Sequence, residues 1–362
     1  MTKNIRVGLL YGGKSVEHEI SLRSARNIYE QIDRSRFDPV LIGITKEGKW
    51  YLTDEIDRPI GSGKPLNLGL GHSHHSFSTL DGKDGTGKLD VIFPVLHGTD
   101  GEDGSIQGLL QAADIPYCGS GVLGSSVAMD KYLSKQLLAV EGIPTSRYVA
   151  VLYGNPSGIT YDDIVKKIGL PFMVKPISLG SSVGVTKINR RQDYQSAVKE
   201  TLQYDLGFLA EAFISGRELE CAILGNQQAG SSDPGEIIIS PKYEFYTYDA
   251  KYEDPDAVEI RVPAELDSSA KERIKDLCLR SYHTLRCEDF ARVDLFFTED
   301  QSIYINEINT IPGFTNSSMF PSLWAQHGID YSTLITRIIE LALERFATKK
   351  KLNRNYQGTA IS

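Results

Sequence analysis

The chain has 362 residues, 41% hydrophobic and 24% charged, with a formal net charge of −8 at pH 7. That is ordinary globular material, enough for two or three domains, and its acidic balance argues against a nucleic-acid-binding protein, which would carry a basic face. No apolar run approaches the roughly 20 residues of a membrane helix, and four cysteines without a CxxC pair read as reduced, buried thiols of a cytosolic protein.

Ile5–Leu10 reads as a first strand, too short before Gly12-Gly13 to be a secretion signal. Tyr11–Ser15 is a turn that opens a helix over Glu19–Ile32, and Pro39–Ile44 is a second strand. Strand, glycine turn, helix, strand is the βαβ opening of a parallel sheet. The G-x-G-x-x-G of a dinucleotide site is absent. Gly61–Lys88 is a Gly-, Ser- and Lys-rich stretch expected as a surface loop; its His72, His74 and His75 lack the carboxylate or cysteine frame of a metal site. Leu89–Leu96 is a strand ending at His97-Gly98. Function in open α/β sheets gathers at the carboxyl ends of strands, where both this dipeptide and Gly12-Gly13 lie.

Ser105–Ala113 is a short helix, and the glycine-rich Gly119–Gly124 marks a domain boundary. One helix is expected over Val127–Glu141, carrying Lys131 and Lys135 and ended by Gly142-Ile143-Pro144. Pro171–Pro176 is a strand with Lys175 near its end, followed by the Gly/Ser loop 177–185 and a strand to Ile188. Backbone N–H groups in such a loop can cradle phosphate oxygens. It lies between two strands and lacks a P-loop's Gly-Lys-Ser/Thr, so a plain hairpin turn is the alternative. Phe208–Ile214 and Leu219–Leu224 are strands across a turn. Tyr243–Tyr252, aromatic-rich around Lys251, is too polar for core and too aromatic for an idle loop, which suggests an active-site lid. Ser268–Leu285 and Tyr331–Phe346 are amphipathic helices, and the lysine-rich tail 348–362 is expected to be disordered.

Ala291–Phe297 and Ile303–Phe314, joined by polar Thr298–Ser302, read as an antiparallel hairpin. Alternation puts Arg292 and Asp294 on one face of the first strand, and Glu307 and Asn309 on one face of the second. If the register aligns them, two carboxylates and an amide oxygen converge. Hard oxygen donors without His or Cys suit Mg²⁺ or Mn²⁺ rather than zinc, and Arg292 adds a cation for an anionic substrate. The alternative is a solvated hairpin whose charges face water.

Eight passages, in this order, carry a resemblance: Gly12–Ser21, His97–Gly104, Met129–Lys131, Val174–Pro176, Leu179–Gly184, Ala250–Tyr252, Arg292–Asp294 and Asn306–Thr315. Together they resemble the ATP-grasp superfamily and, within it, the D-alanine–D-alanine ligase family, from about Asn4 to Ala347. The resemblance implies an α/β fold of three domains. These are an N-terminal parallel-sheet substrate domain (1–120), a central domain (121–211) and a C-terminal domain with metal site and lid (212–347). ATP would lie between two antiparallel sheets. Lys131, Lys175 and Lys251 would approach its phosphates beneath the Ser181-Ser182 loop. Glu211, Ala212, Phe213 and Ile214 would line the adenine, and Glu218 the ribose. Asp294, Glu307 and Asn309 would hold two Mg²⁺ or Mn²⁺ ions. Glu17 and His97 would hold the first D-alanine, with Ser181 and Tyr252 bonded to Glu17. Arg292 and the Gly313 N–H would stabilise an oxyanion, and Ser318 and Met319 would contact the second substrate. Met319 stands where the family commonly has leucine. The implied product is D-alanyl-D-alanine for peptidoglycan, made through a D-alanyl phosphate by a cytoplasmic enzyme, usually a homodimer. A D-alanine–D-lactate ligase and a non-catalytic nucleotide-binding regulator are the alternatives.

Overall fold

The computed structural model describes residues 4–68, 77–79, 85–153, 158–243, 254 and 256–353. Its first sheet is built from β1 (Ile5–Gly12), β2 (Phe37–Ile44), β3 (Trp50–Thr53), β4 (Lys64–Leu68), β5 (Phe77–Thr79) and β6 (Val91–Val95), in the order β5-β4-β3-β2-β1-β6. β1 pairs in parallel with both β2 and β6, and α1 (His18–Gln31) makes the first crossover. The inner strands are continuous apolar runs because a parallel sheet is covered on both faces. The loop expected over Gly61–Lys88 is corrected in part: it contains β4 and the edge strand β5, short strands that each bury one apolar residue, Leu66 and Phe77. Phe77 stacks on Trp50 with ring centroids 5.4 Å apart. One buried side chain per strand is too little to stand out from Gly- and Ser-rich surroundings. The three histidines lie outside the described residues.

α2 (Ser105–Ala112) is followed by α3 (Val122–Met129) and α4 (Lys131–Val140). The single helix expected over Val127–Glu141 is therefore two. Asp130 takes an extended conformation (ψ 101°) and its carboxylate caps α4 by accepting from Leu133 N at 2.8 Å. The glycine-rich passage Gly119–Gly124 leads into α3, and a Cβ on its Gly124 would lie 2.4 Å from the Arg286 carbonyl oxygen.

The second sheet is antiparallel, β7 (Tyr148–Val151), β8 (Phe172–Pro176), β9 (Thr186–Ile188) and β10 (Phe208–Ala212), in the order β7-β10-β8-β9. α5 (Tyr161–Ile168) and α6 (Arg191–Thr201) close its own core around Ile164, Phe172, Val174 and Tyr194.

The third sheet comprises β11 (Arg217–Leu224), β12 (Gly230–Ser231), β13 (Gly235–Ile239), β14 (Val258–Arg261), β15 (Phe290–Phe297) and β16 (Ile303–Asn309). Its order is β14-β13-β11-β15-β16, with β12 paired to β11. α7 (Ser268–Thr284) packs over a core that also takes Ala128 from α3 and Leu138 from α4. α8 (Met319–Gln326) and α9 (Tyr331–Lys350) share a different core with β1 and β6, where Phe93, Phe290 and Phe314 meet edge to face. The tail expected to be disordered from Thr348 is thus helical to Lys350. Lys349 pairs with Glu288 at 2.9 Å and Lys350 with Asp114 at 2.8 Å. Buried Arg345, on the same helix, donates to the Tyr117 and Gly119 carbonyls and to Asp289, joining the first and third units. All four cysteines are buried free thiols. No described helix is long and apolar enough to cross a membrane.

Candidate active site

The second and third sheets face each other across a cleft of about 400 Å³. Lys131, Lys175, Ser182, the segment Glu211–Ile214, Glu218, Asp294 and Glu307 all line it. The break at Asp130 puts Lys131 at the start of α4, where its Nζ donates to the Leu179 carbonyl at 2.6 Å and lies 3.6 Å from Glu307. The β8–β9 loop carries Ser181 (φ 54°), Ser182 (φ 57°) and Gly184 (φ 67°) in the left-handed region. Consecutive non-glycine residues there are uncommon, and successive N–H groups of a turn can form an anion-binding concavity.

One end of the cleft is closed by Glu211. Its carboxylate takes the Lys175 ammonium at 3.0 Å, the Ser146 hydroxyl at 3.1 Å and the Lys135 ammonium at 3.4 Å. Burial alone would raise its pKa; the two ammonium groups and the hydrogen bonds outweigh that and hold it at about 2. Burial likewise opposes charge on Lys175, but Glu211 and Glu307 win and raise its pKa.

At the other end the β15–β16 register sets Arg292 opposite Asn309 and Asp294 opposite Glu307, the alignment on which their convergence depended. The register then shifts: Leu295 faces Ile305, leaving Asn306 as the extra residue of a bulge. Asn306 and Glu307 are sequence neighbours, yet both line the cleft, and Asn306 Oδ1 accepts from Lys175 at 3.4 Å. Asp294 accepts from Arg292 at 2.7 and 2.8 Å and from Asn309 Nδ2 at 2.9 Å. Arg292 also pairs with buried Glu220 at 2.9 Å, and Glu220 stands opposite Asp294 in the β11–β15 ladder. Among the described residues no three His, Cys, Asp or Glu side chains form a metal cluster. The donor set is two carboxylates and an amide, all hard oxygen ligands, which fits Mg²⁺ or Mn²⁺.

A second cavity of about 490 Å³ holds Glu17, His97, Ser181, Arg292, Asn309, Gly313, Ser318 and Met319. It meets the first at Gly180, Glu220 and Glu307, which line both. Glu17 is buried at the start of α1. Its Oε1 accepts from the Ser181 hydroxyl, while Oε2 has no hydrogen-bond partner among the described residues. Gly98 (φ 71°) allows this packing, since a Cβ there would lie 2.5 Å from Glu17 Oε2.

His97 is buried with both ring nitrogens engaged, Nδ1 with the Ile311 carbonyl at 2.9 Å and Nε2 with Ser24 Oγ at 3.1 Å. Burial pushes its pKa down, against the pull of Glu17 and the Ile311 bond. Glu102 completes the fastening: it accepts from Gly98 N at 2.8 Å and Ile311 N at 3.0 Å. The strip Ile311–Phe314, which contains Gly313, is thus pinned to the first domain from both sides. Ser318 Oγ accepts from Thr315 N at 2.9 Å, and the Met319 side chain is buried against Gly235. Lys251 and Tyr252 lie outside the described residues. Glu102, Glu220, Asn306 and Lys135 were not singled out as site residues from sequence. Glu102 sits inside the His97–Gly104 passage, Asn306 opens the Asn306–Thr315 passage and Lys135 lies one turn after Lys131, so these three have a local signal; Glu220 has none.

A nucleotide-sized cleft between two antiparallel sheets, with lysines on one wall and a carboxylate pair on the other, defines an ATP-grasp protein. Family models described as "D-ala D-ala ligase N-terminus" and "D-ala D-ala ligase C-terminus" match residues 6–120 and 137–340. A D-alanine–D-alanine ligase from Shouchella clausii is 44% identical over 358 residues, covering 96% of this chain and 97% of that protein. Among solved structures, the D-alanine-D-alanine ligase from Coxiella burnetii superposes with a TM-score of 0.86 at 33% identity, covering 97% of both chains. A D-Ala:D-Ser ligase from Enterococcus faecalis gives 0.84 at 32% identity, over 94% of this chain and all of that one. The chain belongs to the D-alanine–D-alanine ligase family.

Proposed function

We infer that the chain is an ATP-dependent, ADP-forming ligase that joins two D-alanines into D-alanyl-D-alanine for peptidoglycan synthesis. The observation that carries the mechanism is the meeting of the two cavities at Glu307, which sets a nucleotide-sized, lysine-bearing cleft against an acidic pocket.

Glu17 Oε2, buried and without a hydrogen-bond partner among the described residues, is a receptor for the ammonium of the first D-alanine. Lys131, Lys175 and the Ser181-Ser182 loop receive the nucleotide phosphates, with Lys251 as a further partner. The segment Glu211–Ile214 meets the adenine and Glu218 the ribose. Asp294, Glu307 and Asn309 would hold two divalent ions, which neutralise phosphate charge when bound. Phosphoryl transfer asks mainly for such positioning and neutralisation. The D-alanine carboxylate becomes an acyl phosphate, and the amine of the second D-alanine displaces phosphate from it. Arg292 and the Gly313 N–H, which line the same cavity, would stabilise the developing oxyanion. In this reading His97 and Glu102 act by holding that strip in place, since His97 Nδ1 and Glu102 Oε1 already bond to Ile311. Ser318 and Met319 border the second substrate, and Tyr252 joins Glu17 and Ser181 over the site.

A homodimer in the cytoplasm is the assembly and location this reading expects. The deciding experiment is ATP-dependent phosphate release with D-alanine alone and with D-lactate or D-serine added, followed by mass spectrometry of the products. D-Alanyl-D-alanine should dominate at pH 7. No phosphate release with D-alanine would overturn the ligase assignment, and a dominant depsipeptide or D-alanyl-D-serine would overturn the choice of acceptor.

A further inference from the structure

Lys135 has no place in the mechanism above, yet it is fully buried, a costly position for an ammonium group. It does not line the nucleotide cleft. Its Nζ donates to Ser146 Oγ at 3.0 Å and stands 3.4 Å from Glu211 Oε1. Ser146 in turn donates to Glu211 Oε2, the oxygen that also receives Lys175 at 3.0 Å. One carboxylate thus serves two lysines, one behind it in the protein and one in front at the cleft.

The arrangement has a consequence for nucleotide binding. A triphosphate entering the cleft attracts Lys175 away from Glu211. If Lys175 were the sole cation of Glu211, that turn would strand a buried carboxylate, and removing one partner of a buried pair is strongly unfavourable. With Lys135 behind it, Glu211 keeps a cation and a hydroxyl bond throughout.

We propose that Lys135 is a positioning residue for the nucleotide: it anchors and neutralises Glu211 from behind, so that Lys175 can exchange Glu211 for phosphate. The proposal rests on the reading of the cleft as the ATP site. Lys175 is the cation suited to move, because its side chain is 12% exposed and faces the cleft, against 1% for Lys135. Asn306 Oδ1, 3.4 Å from Lys175, gives the ammonium a second contact on the cleft side.

The test compares wild type, Lys135→Met, Glu211→Gln and the double variant, using the whole chain. ADP binding is followed by calorimetry, and KM for ATP and for D-alanine by phosphate release. Lys135→Met should weaken ADP binding and raise KM for ATP by about tenfold or more, with KM for D-alanine within about twofold. The double variant, with no stranded charge, should bind ADP better than Lys135→Met alone. Lys135→Arg should recover most of the affinity and serves if Lys135→Met does not fold. In that event, Lys135→Arg binding no better than Ser146→Ala/Lys135→Gln would overturn the idea. A Lys135→Met protein with lowered Tm but unchanged ADP affinity, or a double variant weaker than both single ones, also overturns it. If wild type itself binds no ADP, the ATP-site reading falls first.

Discussion

Glu17→Gln separates a binding carboxylate from a structural one. Glu17 is 6% exposed; its Oε1 accepts from the Ser181 hydroxyl and its Oε2 has no hydrogen-bond partner among the described residues. A buried acceptor left unmade costs about 1–3 kcal/mol, more when charged. The ammonium of D-alanine would offset that with a charge-assisted hydrogen bond worth about 1.5–3 kcal/mol. Glutamine keeps the shape and the carbonyl that Ser181 donates to, and removes the charge. The two effects therefore have opposite signs. Without ligand, Glu17→Gln should melt no lower than wild type. In phosphate-release assays its KM for D-alanine should rise roughly 10- to 100-fold, with KM for ATP within about twofold. A drop of several degrees in Tm with an unchanged KM for D-alanine would show that Glu17 serves the fold at the start of α1, and the ammonium assignment would fail.

Three further outcomes follow from the same geometry. Glu307→Gln removes one of the two opposed carboxylates and should abolish most turnover at ordinary Mg²⁺ while circular dichroism stays native; near-normal turnover would count against Glu307 as a metal ligand. Burial, with the charge of Glu17, pushes the Glu102 carboxyl from 4.5 up to about 8. The folded state then holds an extra proton across that window, so Glu102's contribution to stability falls as pH rises through it. The stability difference between wild type and Glu102→Gln in urea melts should shrink from low pH to about pH 8; a constant difference refutes the shift. Arg345→Met leaves fully buried Asp289 without its cation and should cost about 3–5 kcal/mol in urea melts, with both KM values unmoved in the protein that remains folded; a loss below about 1 kcal/mol would mean the cluster is no stronger than a surface pair.

Periodicity alone determined which side of each strand the chemistry occupies. Arg292 with Asp294, and Glu307 with Asn309, fall on common faces because side chains in a strand alternate. The Gly/Ser stretch after Lys175 was legible as a turn between strands for the same local reason. The order of short motifs, from Gly12-Gly13 to Gly313, carried the family, since each is a local constellation written in consecutive residues. Tertiary structure decided what those faces meet. The bulge that turns Asn306 into the cleft depends on how β15 and β16 pair, and Glu220 reaches Arg292 because β11 lies beside β15, some 70 residues away in the chain. Helical periodicity runs unbroken through Asp130, yet the chain breaks there: Asp130 caps a new helix, and Lys131 N bonds to the Ile177 carbonyl. His97, Glu102 and Lys135 have polar side chains whose roles depend on long-range partners: Ile311 for the first two, Glu211 for the third. Such partners are chosen when separate cores pack together. A local pattern reports the direction of a side chain, while its partner is set by the packing of distant elements.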